Sequence, residues 1–324
     1  MCSSDLPGRD LPTPSAAAAV AGDGDTVLID AGTYSGDVAT WTQDDLTLRG
    51  VGGRAHLRAD GSDAQGKAIW VIAGDRTTVD RIELSGAAVP DANGAGIRQE
   101  GTDLTVTRSW FHDNQDGILT GADPESDIVI RRSRFFRNGG GDGYTHNLYV
   151  GAVRSLTVTG SWLWGADVGH ELKSRAATTT IVGNYIDDAD ATASYSVDLP
   201  NGGLALVAGN VVVQGPRSEN STLVSYGAEG LSNASHRLWV VHNTFVNRRS
   251  SGTFVSLAAG SRATLRNNLL VGPGDLTAGA AASARANRRV GAGSFVDAAH
   301  GDFHLVAPSP AVDRGRSEEH TSEL

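Results

Sequence analysis

The sequence predicts an all-β fold, a solenoid in which coils of short strands stack along one axis. Three observations predict it: a repeated apolar segment, a small polar residue in each repeat, and no convincing helical pattern across the repeats. Glycine makes up 41 of 324 residues, and β-branched residues recur in short runs, as expected for short strands and tight turns. A period of roughly 20–50 residues built from strand and turn indicates a solenoid, with a coincidentally spaced β-sandwich as the alternative.

The repeats align on the small polar residue, as in T-R-S-W-F (107–111) and V-H-N-T-F (241–245). Successive aligned residues lie 23–33 positions apart. We expect a side-chain ladder along the solenoid at a tight turn. The aligned residues are Ser109, Ser133, Ser161, Asn184, Asn210, Asn243 and Asn267.

Two apolar columns accompany this ladder, and stacked coils would bury both of them. The first column lies two positions after the ladder, at Phe111, Phe135, Leu163, Ile186, Val212, Phe245 and Leu269. The second lies in another alternating strand of each repeat, at Ile97, Ile118, Leu148, Leu172, Val197, Leu223 and Phe254.

With these features the chain resembles the right-handed parallel β-helix proteins of the pectate-lyase-like superfamily. The segment G-D-G-D-T-V-L-I-D-A-G-T-Y (22–34) resembles their first coil, and G-D-F-H-L-V-A-P-S-P-A-V-D-R-G (301–315) resembles their closing segment. Before the first coil, T-P-S-A-A-A-A-V-A suits a short capping helix with Thr13 as N-cap and Pro14 at the first helical position. We expect about ten coils in one domain, residues 7–315.

The terminal segments, residues 1–6 and 316–324, back-translate to sequencing-adapter DNA. We therefore expect them to be artefacts of a metagenomic assembly that pack against nothing and lack regular structure. The single cysteine, Cys2, falls within them, so the remaining chain has neither a disulfide framework nor a thiolate nucleophile.

The chain is mildly acidic. The net charge is −10, and it becomes −7 when the terminal charges of Asp5, Arg316, Glu318, Glu319 and Glu323, net −3, are set aside. This charge argues against nucleic-acid and membrane partners. We expect a monomer, and the family resemblance implies a bacterial protein that is secreted or periplasmic.

The stretch G-H-E-L-K-S-R-A (169–176) places three charged residues at alternate positions. If Leu172 points inward, the flanking charges point outward. Neighbouring coils add polar and aromatic residues in the same columns, about 4.8 Å away. The predicted patch comprises Asn147, Tyr149, Glu171, Lys173, Arg175, Ser196 and Asp198, with His146 and His170 beside it and Tyr195, Tyr226 and Glu229 nearby.

The patch has a plain alternative, a solvated face with cross-strand ion pairs. Two features favour a site. Aromatic and histidine side chains accompany the charges, as in sugar-binding sites. Lysine is also nearly absent, with Lys67 and Lys173 alone in the chain. Because lysine can lose its proton at reachable pH and arginine effectively cannot, Lys173 suits a general base.

The same strand resembles the alginate-lyase and chondroitinase-B-like pattern, in which a Lys-Ser pair supplies the base. Lys173-Ser174 matches that pair. The resemblance implies calcium bound by Asn147 and Glu171. The family has an arginine on the following coil, where this chain has Tyr195 and Asp198, so Arg175, Tyr195 and His170 are the candidates for the acid.

These observations predict a polysaccharide lyase that cleaves an acidic, uronic-acid polysaccharide by β-elimination. Two alternatives are a glycoside hydrolase that uses Glu171 and Asp198, and a non-catalytic glycan-binding β-helix of the tailspike or adhesin kind. We expect the catalytic residues to be Lys173, Arg175, His170, Tyr195 and Asp198. We expect the substrate-binding residues to be His146, Asn147, Tyr149, Glu171, Ser196, Tyr226 and Glu229.

Overall fold

The computed structural model describes residues 2–4, 10–309 and 311. The chain forms a right-handed parallel β-helix, as the repeats predict. One sheet has ten parallel strands, one for each of ten coils, and a partial eleventh coil adds the strands Ala282–Arg285 and Arg288–Arg289. A typical coil contributes three strands, and each strand pairs in parallel with its equivalents in the coils before and after it. We name the three columns of strands the first, second and third columns, by their order within a coil.

The bounds of the strands are as follows. The first column comprises Thr26–Ser35, Thr47–Arg58, Thr77–Asp80, Leu104–Thr107, Asp127–Arg131, Ser155–Thr159, Thr178–Val182, Gly203–Ala208, His236–Val241, Arg262–Arg266 and Ala282–Arg285. The second begins with the C-terminal parts of Thr26–Ser35 and Thr47–Arg58, which continue from the first column. It then comprises Ile82–Ser85, Trp110–His112, Arg134–Phe136, Trp162–Trp164, Tyr185–Asp187, Val211–Gln214, Thr244–Asn247, Leu269–Val271 and Arg288–Arg289. The third comprises Ala39–Trp41, Ala68–Ile72, Ala95–Gln99, Asp116–Thr120, Leu148–Val150, Leu172–Ser174, Val197–Leu199, Thr222–Tyr226, Thr253–Leu257 and Asp275–Gly279.

The ends of the solenoid are covered by short elements. The helix Pro14–Ala18 packs near the first coil, and its N-cap Thr13 accepts a hydrogen bond from the backbone N–H of Ala16, so the predicted cap is confirmed. At the other end, the antiparallel strands Phe295–Asp297 and Asp302–Leu305 follow the last coil, with 3₁₀ turns at Ala292–Ser294 and Ala298–His300. No helix among the described residues has both the length and the apolar character needed to span a membrane.

The N-terminal segment departs from the prediction. Cys2–Ser4 forms a strand that pairs antiparallel with Thr26–Ser35 and with Asp10–Leu11, so the expectation that residues 1–6 lack regular structure is wrong for residues 2–4. The physical reason is that the first coil has an open edge, whose unpaired N–H and C=O groups can accept an extended segment of almost any sequence. Residues 316–324 lie outside the described part of the chain.

The polar ladder connects the coils at the turn between the first and second columns. From Ser133 to Asn243, each ladder side chain accepts a hydrogen bond from the backbone N–H of the ladder residue one coil earlier. The donor–acceptor distance is 3.2 Å from Ser109 to Ser133 and 2.8 Å from Asn184 to Asn210. The prediction of the last ladder residue, which we call a rung like each of the others, is wrong by one position. Asn243 donates to Asn268, because Asn267 adopts the left-handed conformation, with φ 57°, that precedes the rung.

The core between the columns is apolar. Phe111 and Phe135 stack with ring centroids 4.8 Å apart, and Leu172 and Val197 are buried partners on adjacent coils, as predicted. Near the C-terminal end both apolar columns shift by one residue. Phe245 pairs with Leu270 rather than Leu269.

In the third column, the register likewise joins Val197 to Val224 and then to Val255, rather than to Leu223 and Phe254. A shift of one residue exchanges the two faces of a strand. In the last coils, the side chains that face outward are therefore different from those that the sequence predicted.

Candidate active site

Three consecutive strands of the third column place one polar side chain each on the outer face. Tyr149 pairs with Lys173, and Lys173 pairs with Asp198. Each is the middle residue of a three-residue strand whose first residue, Leu148, Leu172 or Val197, is buried in the core. Because side chains alternate along a strand, the middle residue turns to the other face. The sequence predicted this row, and the structure brings its members together.

A charged network surrounds the amine of Lys173. Its Nζ lies 3.0 Å from Oε1 of Glu229 and 3.7 Å from Oδ2 of Asp198. The other oxygen of Glu229 accepts a hydrogen bond of 2.6 Å from Nη2 of Arg175. One exposed carboxylate, on a turn, therefore bridges the two cations of this face.

Arg175 is held in place by two further contacts. Its Nε donates to the hydroxyl of Tyr149 at 2.8 Å, and its Nη1 donates to Oδ1 of Asn201 at 2.6 Å. Sequence reasoning missed Asn201. It lies in the turn V-D-L-P-N-G-G, two positions after the strand that contains Asp198, and this proximity was a signal that could have identified it.

His146, His170 and Tyr195 form an aromatic stack beside the row. The two imidazole centroids are 4.7 Å apart, and the Tyr195 ring lies 5.3 Å from that of His170. Nδ1 of His146 accepts from the backbone N–H of His170, and Nδ1 of His170 accepts from that of Tyr195. A neutral imidazole that accepts at Nδ1 carries its proton on Nε2. Nε2 of His170 therefore presents its proton to Oδ2 of Asp198, 3.5 Å away.

Burial sets the protonation states of this stack. It lowers the pKa of His170 to about 3, with a further contribution from the charge of Lys173, and it holds the pKa of His146 well below its usual value. Burial also raises the pKa of Asp198 to about 6, against the opposing effect of Lys173. Although partial burial works to raise it, the hydrogen bonds from Lys173 and Arg175 keep the pKa of Glu229 below its usual range.

Asn147, Glu171 and Ser196 do not face this site, and the prediction of their position was wrong. All three are fully buried. The amide of Asn147 donates to the carboxylate of Glu171, which also accepts from the backbone N–H of Ala166. Each of the three immediately precedes its strand, where the chain turns a corner, so strand alternation does not apply to it.

The predicted calcium ligands do not suit calcium. Calcium takes six to eight oxygen ligands, usually with ionised carboxylates. Here the Asn147 side chain presents its N–H group to Glu171, and burial raises the pKa of the Glu171 carboxyl well above its usual value.

Tyr226 was also placed on the wrong face. It pairs with Leu199 and Leu257, lies in the apolar core, and donates its hydroxyl proton to the carbonyl of Gly203. The one-residue change of register in the strand Thr222–Tyr226 explains the error. Of the predicted residues, those gathered on the outer face or beside it are His146, Tyr149, His170, Lys173, Arg175, Tyr195, Asp198 and Glu229.

Comparison with known proteins supports the fold. No family model matches the sequence, and no curated protein is significantly similar to it. Among solved structures, the chain is similar to the crystal structure of the pectate lyase Pel9A, with a TM-score of 0.70 and 16% sequence identity over 95% of this chain and 87% of that one. It is also similar to ORF18 of Geobacillus virus E2, with a TM-score of 0.50 and 11% identity over 84% of this chain and about half, 55%, of that one. The chain thus has the pectate-lyase-like right-handed parallel β-helix fold.

Proposed function

We propose that the protein is a polysaccharide lyase that cleaves an acidic, uronic-acid polysaccharide by β-elimination at the Lys173 site. One observation carries the proposal. Lys173 and Arg175 share one outer face, and a carboxylate, that of Glu229, already sits between them at 3.0 Å and 2.6 Å. A uronate carboxylate has the same charge and hydrogen-bonding geometry. The fold is also that of the pectate lyase Pel9A.

In the proposed reaction, the uronate carboxylate binds the guanidinium of Arg175, which stabilises the charge that develops on it. The neutral amine of Lys173 removes the proton α to that carboxylate. The electron pair of the broken C–H bond forms a carbon–carbon double bond. The bond to the leaving glycosidic oxygen then breaks, and that oxygen takes a proton, so the product is an unsaturated sugar.

Tyr149 is the proton donor that the geometry favours. Arg175 donates to its hydroxyl oxygen at 2.8 Å, so the phenolic proton is directed to another acceptor. The pKa of His170, about 3 because of burial, keeps that imidazole neutral and makes it a poor acid. We assign His170 the role of positioning Asp198 through the contact of 3.5 Å.

A hydrolase based on Glu171 and Asp198 lacks support. Such an enzyme needs two carboxyl groups that flank one bound substrate. Glu171 is buried in the corner of its coil and bonded to Asn147 and Ala166, so the two carboxyl groups do not face a common space.

A non-catalytic glycan-binding module is the second candidate, and a row of aromatic side chains, among which Trp162 is exposed and Phe136 is buried, favours it. On the second column, Phe136 and Trp164 stack at 4.6 Å, and Trp162, whose residue surface is 49% exposed, lies 5.5 Å from Tyr185. Aromatic faces of this kind present large apolar surfaces with a polar edge, which suits stacking against sugar rings.

One screen separates the two functions. Purified protein is incubated with a panel of uronic-acid polysaccharides, and new unsaturated ends are measured by their ultraviolet absorbance. A lyase produces such ends on at least one acidic polymer. Binding to a polymer without any product on the whole panel would support the glycan-binding module instead.

A further inference from the structure

His56, Glu83 and His112 meet on the outer face of the second column, on coils that precede the Lys173 row of the third column. His56 pairs with Glu83 in the strands Thr47–Arg58 and Ile82–Ser85, and His112 belongs to the strand of the next coil. Each of the three is half-buried and directly follows a buried apolar residue, Ala55, Ile82 or Phe111. Three successive coils therefore bring one side chain each to the same point.

The three side chains are arranged as metal ligands are. Oε1 of Glu83 lies 3.2 Å from Nε2 of His112 and 3.8 Å from Nδ1 of His56. One donor atom from each residue lies within 4.8 Å of the others. In a tetrahedral zinc site with bonds of about 2.0–2.1 Å, donor atoms lie about 3.3 Å apart. Small movements would thus bring the three donors to one ion.

The second nitrogen of each imidazole is already engaged. Nε2 of His56 lies 2.7 Å from the hydroxyl of Ser85, and Nδ1 of His112 lies 2.6 Å from Oδ2 of Asp113. Asp113 is itself held by two hydrogen bonds from Arg137. Ligating histidines usually bond their other nitrogen to a carboxylate, hydroxyl or carbonyl in this way, which fixes the tautomer and the orientation of the ring.

We propose that His56, Glu83 and His112 bind a divalent transition-metal ion, with Zn²⁺ as the ion that two imidazoles and one carboxylate favour. The ion replaces the proton that Glu83 and His112 otherwise share. Because the ligands come from three coils, the bound metal ties these coils together and stabilises this part of the solenoid.

The test uses the full chain after treatment with a chelator and does not depend on any enzymatic activity. Isothermal titration calorimetry with Zn²⁺, and visible absorption with Co²⁺ as a spectroscopic probe, should each show one ion per chain. Zn²⁺ should also raise the Tm, since it binds the folded state. His112→Gln and Glu83→Gln should weaken binding by at least about 100-fold, and Asp113→Asn by about 10–100-fold.

His304→Gln is the matched control, because His304 also bonds a nearby carboxylate, that of Asp302, but is highly exposed. It should leave the affinity unchanged. Two results would overturn the proposal: no stoichiometric binding by the parent protein, which would leave His112 as the proton-sharing partner of two carboxylates, or binding that survives in both His112→Gln and Glu83→Gln.

Discussion

The carboxylate of Glu229 occupies the position between Lys173 and Arg175 where a substrate carboxylate would bind. Its hydrogen bonds to both cations are shorter than the 3.7 Å contact between Lys173 and Asp198. Its side chain is 46% exposed and lies on a turn, so it can move aside. Substrate binding therefore involves competition between two carboxylates for the guanidinium of Arg175.

Replacing Glu229 tests this competition. Glu229→Gln removes the competing charge, so we expect KM for the acidic polysaccharide to fall about 5-fold, or about 1 kcal/mol, in steady-state assays. Glu125→Gln, at an exposed glutamate near Arg154, should leave KM unchanged. A rise in KM for Glu229→Gln would mean that Glu229 holds Lys173 and Arg175 in place rather than competing with the substrate carboxylate.

The buried carboxyl group of Asp188 should make the stability of the protein depend on pH. It is fully buried near Glu171, and burial raises its pKa to about 7, against hydrogen bonds from Ser218 and Gly215. The pKa of Asp188 in the folded protein lies above the ordinary aspartate pKa of 3.8. The carboxyl group therefore contributes its full stabilisation below pH 3.8, and this stabilisation is lost as the pH rises through 7.

Asp188→Asn keeps the shape of the side chain and removes the charge. The Tm of the variant relative to the parent should therefore increase from pH 5 to pH 8, by an amount corresponding to about 1–3 kcal/mol. Asp60→Asn, at an exposed aspartate paired with Arg58, should show a constant difference over this range. A constant difference for Asp188→Asn would show that the carboxyl group does not titrate between these pH values.

The polar ladder joins the strands of neighbouring coils through buried amide side chains. Oδ1 of Asn210 accepts from the backbone and side-chain N–H groups of Asn184, and its Nδ2 donates to the carbonyl of Ile181 and to Oδ1 of Asn243. All of these groups are buried, so water cannot replace a missing partner.

Removing an interior rung should be costly. Asn210→Ala leaves several buried polar groups without partners, and we expect a loss of about 2–4 kcal/mol in the free energy of unfolding, measured by denaturant titration. Asn287→Ala at the half-buried last rung should have a smaller effect because water can reach that site. Equal effects for the two variants would contradict this account of the ladder.

The sequence predicted most of these elements because their patterns repeat. The sequence led to wrong predictions at the ends of strands and at the corners of coils. Asn147, Glu171 and Ser196 precede strands of only three residues, and alternation does not continue around the corner of a coil. In R-N-N-L-L the sequence does not reveal which asparagine takes the left-handed conformation before the rung. Asn201 and Glu229 reach the site from turns, so their nearness to the patch could be read from the sequence but their contacts with Arg175 and Lys173 depend on how the coils pack.

One continuous apolar core runs through the whole stack of coils. Leu172 is completely buried there between Leu148 and Val197. A charge at this point would have no partner and could reach no water, so it would disrupt the stacking of three coils.

Leu172→Asp should therefore unfold the domain or destabilise it by more than about 4 kcal/mol, as measured by circular dichroism and thermal melting. Thr180→Asp is the matched control on the next strand along the chain, at a position that the structure leaves half-exposed, and it should change the stability little. A folded Leu172→Asp protein with an unchanged Tm would mean that Leu172 does not belong to the core.

The chain contains only two lysines, which makes the proposed base unusually easy to test. Lys173 lies in the site, and Lys67 forms a surface ion pair with Glu100 at 2.6 Å. Arginine keeps the positive charge at either position but cannot act as a base at ordinary pH.

The most direct measurement is the rate of unsaturated-product formation by Lys173→Arg and Lys67→Arg, on an acidic polysaccharide that the parent cleaves. We predict that Lys173→Arg loses about 10²–10⁴-fold in kcat while it still binds the polymer, and that Lys67→Arg retains full activity. Full turnover by Lys173→Arg would contradict the assignment of Lys173 as the base and, with it, the proposed mechanism.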